Sequence, residues 1–198
     1  MSPERNPMEI GRSFFYGIGE RKSYVRALPH LREAAKAGYV HAQFLLAYAY
    51  AHGLGTRKNL RRAVQWYETA RRKDHPGAIF NLALAYEKGR GARVNPRRAF
   101  SLYKRGAELG DAAAQCNLGI AYLEGIGTTR NLSLGIRWIQ RAARRGDAKA
   151  QYNLALAYLE GEGVRKNVPI ARRWFRRAAS NGHRKASSFL RHVPVRNH

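Results

Sequence analysis

At 198 residues, 44% of them apolar and 11% aromatic, the chain is long enough to bury a core and too rich in apolar side chains for intrinsic disorder. Its 37 lysines and arginines against 13 aspartates and glutamates give a formal charge of +24 at pH 7, which favours an acidic partner and disfavours a basic one. A lone cysteine, Cys116, excludes an internal disulfide; the N-terminal stretch has no apolar run of the length a signal peptide needs and no stretch approaches the roughly 18 residues of a membrane span, so the sequence reads as cytoplasmic.

Along the chain the elements repeat, and the repeat decides the reading. The first unit, approximately residues 2–37, is atypical. It carries Gly17 and Gly19, the stretch LREAAKAG from Leu31, Ser23 at a capping position, and Pro29 inside its second helix, which the proline is expected to shorten or kink. Four units of 36 residues follow without insertion, starting at Gly38, Asp74, Gly110 and Gly146 and covering 38–73, 74–109, 110–145 and 146–181. Residues 182–198 keep the first-helix spacing in Ala186 and Leu190 and are expected to form a capping helix and tail. The whole, 1–198, reads as a single repeat domain.

Each unit opens with a first helix marked by Ala42, Leu46, Ala49 and Tyr50, recurring every 36 residues as far as Ala150, Leu154, Ala157 and Tyr158. That spacing of i, i+4, i+7 and i+8 is one buried helical face. A Gly-x-Gly pair then ends the helix: Gly53/Gly55, Gly89/Gly91, Gly125/Gly127, Gly161/Gly163. Four residues past the second glycine stands Asn59, Asn95, Asn131 or Asn167, placed to accept a hydrogen bond from the first free N–H groups of a second helix. That helix alternates small and aromatic residues, Ala63, Trp66, Tyr67 and Ala70 in one unit and Ala171, Trp174, Phe175 and Ala178 in the last.

These residues resemble the Sel-1-like repeat family, a relative of tetratricopeptide repeats with a slightly longer unit. The segment AQYNLALAYLEGEGVRKN is close to the family pattern, and the likeness covers nearly the whole chain. The resemblance implies an all-α fold, a right-handed α/α superhelix (solenoid) of about five 36-residue helix-turn-helix repeats plus a C-terminal capping helix. It also implies a non-enzymatic adaptor or scaffold for proteins or peptides, with no cofactor. Two departures stand out: Asn replaces the usual Asp before the second helix, and the paired cysteines of the secreted branch are missing.

In stacked hairpins of this kind the first helix lines the concave side and the second the convex side. Phe44, Tyr48 and Ala51 then face inward, as do Phe80, Asn81 and Leu84, Cys116, Asn117, Ile120 and Leu123, and Tyr152, Asn153, Leu156 and Leu159. An apolar strip with an asparagine ladder suits an extended peptide, whose backbone Asn can pair. Asn81, Asn117 and Asn153 match the position of peptide-gripping asparagines in some tetratricopeptide clamps. The alternative is that these residues only pack neighbouring repeats.

The convex side carries Arg61, Arg62, Arg97, Arg98, Arg137, Arg141, Arg172, Arg173 and Arg176 among its basic residues. It reads as a solvated face, as a surface for an acidic protein, or as one for nucleic acid or an anionic membrane. A protein or peptide partner, acidic in character, is expected ahead of nucleic acid. A third reading is a dedicated inhibitor or immunity partner of an acidic protein, and the protein is expected to be a monomer.

Neither catalysis nor a metal is expected. The Gly-x-Gly pairs lack the third glycine of G-x-G-x-x-G and follow no strand. Ser101, Leu102, Tyr103 and Lys104 match S-x-x-K, but the companion S-D-N and K-T-G motifs are absent. His41 and His52 share one helix eleven residues apart, too far for a joint metal site, and Cys116 is expected to be a semi-buried packing residue.

Overall fold

The capping asparagines build the hairpins. In the computed structural model, which describes residues 6–192, Asn59, Asn95, Asn131 and Asn167 each accept through Oδ1 the N–H three residues on, at 2.9–3.0 Å. The N–H of the same asparagine donates to the carbonyl of the tyrosine nine residues before it, at 2.7–2.9 Å: Asn59 to Tyr50, Asn95 to Tyr86, Asn131 to Tyr122 and Asn167 to Tyr158. One residue thus closes each loop and starts the next helix. Ser23 does the same more weakly, donating to Phe14 at 2.9 Å and capping Arg26 N–H at 3.4 Å.

Eleven helices and no strand occupy the described residues. They are α1 (Pro7–Tyr16), α2 (Tyr24–Lys36), α3 (Val40–His52), α4 (Leu60–Arg71), α5 (Pro76–Lys88), α6 (Pro96–Glu108), α7 (Ala112–Glu124), α8 (Leu132–Arg144), α9 (Ala148–Glu160), α10 (Val168–Ser180) and α11 (Arg184–His192). The expected capping helix is α11. Residues 2–5 of the first unit and 193–198 of the expected tail lie outside the described residues.

The chain forms two compact units, Met1–Ala99 and Phe100–His198. In unit 1, α1 pairs with α2 and α3 with α4, while α2 also packs on α3 and α4 on α5. Leu31, Leu45, Leu46, Ile79 and Leu82 are at most 1% exposed there. In unit 2, α7 pairs with α8 and α9 with α10, with α8 against α9 and α10 against α11. Its core holds Leu118, Ile139, Leu154 and Phe175, and Phe189 of α11 stacks on Phe175 at 4.2 Å. The alanines expected on the first-helix face, Ala42, Ala78, Ala114, Ala150 and Ala186, are all fully buried, which lets helices approach closely.

Two further contacts register each hairpin on the one before it. Gly55 has φ +65°, and a Cβ there would lie 2.5 Å from the Tyr24 carbonyl carbon at the start of α2; Gly91 sits the same way against Leu60 at the start of α4. The second glycine is therefore needed twice, for its backbone and for its missing side chain. Gln43, Gln115 and Gln151, all buried, donate from Nε2 to the carbonyls of Ala35, Ala107 and Ala143 at 3.1 Å. Each tie joins the end of one second helix to the following first helix.

Pro29 does not shorten α2, which keeps 13 residues. The carbonyl that loses its donor belongs to Val25, which as a residue is 69% exposed, on the outer side of α2. Where other units end their second helix on Gly38, Gly110 and Gly146, the chain has Asp74 at φ +54°, a conformation that Asp tolerates better than most residues.

Asn131→Ala is expected to lower stability by about 1 kcal/mol, and Asn131→Asp by much less, because Asp accepts the same N–H. Urea unfolding of the three proteins, at unchanged denaturant slope, checks this.

Candidate functional site

The first-helix face of unit 1 opens into a cleft of about 550 Å³ where the end of α3 meets α4 and α5. Ala51, Asn81 and Leu84, expected to share a groove, line it together with His52, Val64 and Tyr67. Lys58 and Arg90 also line the cleft and give it positive charge. Asn81 donates from Nδ2 to Gly77 O at 2.7 Å within its own helix, which leaves its amide oxygen as the acceptor on this wall.

Tyr67 is the unusual member. It is 3% exposed, and its hydroxyl makes no hydrogen bond among the described residues. Burial pushes the hydroxyl well above its ordinary pKa of 10. Of the equivalent positions in unit 2, Tyr103 keeps a hydroxyl, while Ile139 and Phe175, both fully buried, show that the packing does not itself call for one. The sequence offered that comparison, but not the missing bond.

Phe44 and Tyr48 stand beside this cleft in an aromatic cluster. Phe44 stacks on His75 at 4.4 Å and lies 6.1 Å from Tyr67, while Tyr48 lies 4.2 Å from His52. Phe80 is half-buried. His75 caps α5: its Nδ1 accepts the Ala78 N–H at 3.3 Å. Its proton therefore sits on Nε2, which donates to His41 Nδ1 at 3.2 Å, and His41 Nε2–H is directed at the Tyr16 hydroxyl at 3.5 Å. The cap on Ala78 needs a neutral His75, and the bond between the two rings needs a neutral His41. Burial lowers the pKa of both; Arg12 adds to the effect at His41, and His41 does so at His75. His183 repeats the arrangement, capping Ala186 N–H at 3.3 Å and stacking on Tyr152 at 4.3 Å. These histidines stand where Asp111 and Asp147 cap α7 and α9, a register comparison that would have found them.

In unit 2 the expected groove residues are more heavily engaged. Asn117 accepts from Lys149 Nζ at 2.8 Å, and Asn153 Nδ2 lies 3.9 Å from Cys116 Sγ. Ile120 and Leu123 pack against one core cluster; Tyr152, Leu156 and Leu159 pack against the next. Cys116 is 1% exposed rather than semi-buried, and burial pushes its thiol up to about 12, so it is inert packing and no part of an open groove.

Of the arginines expected on the second-helix face, Arg61, Arg62, Arg97, Arg98, Arg137, Arg141, Arg173 and Arg176 are exposed, while Arg172 is half-buried. In unit 1 part of this charge is spent: Glu68 binds Arg71 at 2.9 Å and Arg98 at 2.5 Å, and it accepts from the Tyr86 hydroxyl at 3.1 Å. Among the described residues no group of three or more His, Cys, Asp or Glu could hold a metal ion, and no helix is long and apolar enough to cross a membrane.

Comparison with known families matches the Sel1 repeat at residues 8–39, 40–75, 76–111, 112–147 and 148–183. A search of curated proteins gave no match. Among solved structures, a Sel1 repeat protein from Oxalobacter formigenes is similar at 31% identity and TM-score 0.88, over 93% of this chain and 75% of that one. A protective antigen of uropathogenic Escherichia coli with an SLR fold is 32% identical at TM-score 0.87; 93% of this chain matches 39% of that protein. An immunity protein of Pseudomonas aeruginosa is similar in fold alone, at 22% identity and TM-score 0.61 over 100% of this chain and 78% of that one. The helical-repeat class expected from the sequence is thus the one found.

The neutral histidines set an expected acid sensitivity. Their folded pKa values lie below the unfolded value, so their contribution is present above about pH 6.5 and is lost as pH falls through the folded values. Denaturant midpoints measured between about pH 7.5 and about pH 5 are expected to fall for the natural chain. They should fall less for His75→Asp, whose carboxylate still caps α5 and can pair with a protonated His41.

Proposed function

The chain belongs to the Sel1 repeat family, and from that premise we propose that it is a non-enzymatic protein-interaction scaffold that holds an extended segment of a partner in the cleft of unit 1. Proteins of this repeat are generally protein-interaction scaffolds with no catalytic role. The observation that carries the reading is the orphaned Tyr67 hydroxyl in the wall of that cleft. Leaving a buried hydroxyl unpaired costs about 1–3 kcal/mol, and a partner's backbone carbonyl or N–H recovers it once the lining side chains shift to uncover it.

The rest of the lining suits the same occupant. Leu60, Val64 and Leu84 offer apolar contact for side chains, and the Asn81 amide oxygen accepts a backbone N–H. Lys58 and Arg90 favour a segment bearing carboxylates. The expected groove residues of unit 2, Asn117, Ile120, Tyr152, Asn153 and Leu156, play a lesser part, since each packs on or bonds to the repeat itself.

Peptides selected from a displayed random library and measured by titration calorimetry test this. Tyr67→Phe is expected to weaken them by about tenfold, one hydrogen bond's worth, while raising the thermal midpoint of the free protein, because an unpaired buried hydroxyl is removed. Leu84→Asp should abolish binding. Unchanged affinity in both variants, or a library yielding no binder, would sink the proposal.

A further inference from the structure

The arginine face of unit 2 differs from every other charged surface described above. α8 and α10 contain no acidic residue. Every exposed position on α8 is Ser133 or an arginine, and Arg137, Arg141, Arg144 and the capping Arg145 recur at the i, i+4, i+7 and i+8 spacing of one helical stripe. They border one open cleft with Gln140. α10 adds exposed Arg173, Arg176 and Arg177. Asn181, which ends α10, donates to Gly146 O at 3.2 Å and to Gln151 Oε1 at 2.9 Å, so the arginine-bearing ends of α8 and α10 are tied side by side. None of these seven arginines forms an ion pair among the described residues.

Two of the guanidinium groups are held in place by rings. Arg141 lies over Trp138 at 5.5 Å and Arg177 over Trp174 at 4.8 Å, the same arrangement one repeat apart. A stacked guanidinium keeps its N–H edge outward and loses less entropy on gripping an oxyanion.

We propose that this face binds the phosphate backbone of nucleic acid, without reading its sequence. Composition decides between this and an acidic protein. Protein interfaces centre on an apolar core from which charged residues are depleted, and the exposed surface of α8 offers no such centre. Nucleic-acid interfaces are far more positive, and their affinity rests on arginine and lysine replacing condensed counterions. The site shares no residue with the unit 1 cleft proposed for a protein partner, so neither reading depends on the other.

Fluorescence anisotropy of the full chain with labelled single-stranded and duplex oligonucleotides of about 20 nucleotides or base pairs, between about 50 and 200 mM salt, tests it. Seven neutralised phosphates predict a slope of log K on log salt near −5 for the single strand and −6 for the duplex, so the two arms tell the sources apart. The triple change Arg141→Glu, Arg144→Glu, Arg145→Glu should cost at least about thirtyfold in affinity, and the milder triple change to Gln about tenfold. A control with equal charge change in unit 1, Arg32→Glu, Arg57→Glu, Arg93→Glu, should cost less than about fivefold. Retained helical circular dichroism certifies the variants. No binding at the lowest salt, equal losses in the control, or a polyglutamate of matched length competing as well as the oligonucleotide would each overturn the proposal.

Discussion

Between a tyrosine carbonyl at the end of one helix and the N–H of an asparagine nine residues later runs the bond on which the rest of this structure depends. Its strength is ordinary, about 1 kcal/mol net. Its consequence is geometric, because the same asparagine also caps the following helix, so helix exit, loop and helix entry are fixed by one residue, through its backbone N–H and its side-chain oxygen. With the hairpin angle set, the buried alanines and leucines of successive helices meet without further adjustment, and the close approach at Gly55 and Gly91 becomes both possible and necessary. Packing supplies most of the stability, but it is the closed loop that tells the packing where to occur.

Against such a regular frame, departures from the repeat carry the information about function. Tyr67 places a hydroxyl where Ile139 and Phe175 place hydrocarbon, and leaves it unpaired among the described residues on a side chain that lines a cleft. His75 and His183 cap helices where Asp does the work elsewhere, which makes those two helix starts dependent on a neutral ring. Glu68 draws two arginines and a tyrosine hydroxyl to itself in unit 1, whereas Arg137, Arg141 and Arg144 of α8 and Arg173, Arg176 and Arg177 of α10 form no ion pair among the described residues. A stack that needed only to persist would gain nothing from these substitutions.

Much of the fold was legible in the sequence because periodic constraints leave periodic residues. The helix face of Ala42 and Leu46, the Gly-x-Gly ends and the asparagine caps recur every 36 residues, and each has a local physical cause that a reader can name without coordinates. Contacts between repeats were not legible. His41 and His75 meet across 34 residues, and only the packing of α3 against its neighbours turns two scattered histidines into a bonded pair. Pro29 misled as to length: α2 keeps 13 residues because its other backbone bonds and its buried face persist around the one missing donor. Cys116 misled in the opposite sense, since occupying the slot of Phe44 and Tyr152 does not bring the same exposure to a side chain half the size.

The tyrosine–asparagine closure also bears on how such a chain is made. Every bond that defines a hairpin joins residues fewer than a dozen apart, so its loop entropy is small and it can form while the rest of the polypeptide is still emerging from the ribosome. Each completed hairpin then presents a ready template for the next, and assembly proceeds as a zipper rather than a search. A lesion in one unit would stall the zipper locally, leaving a short stretch for chaperones to hold instead of a wholly unfolded chain.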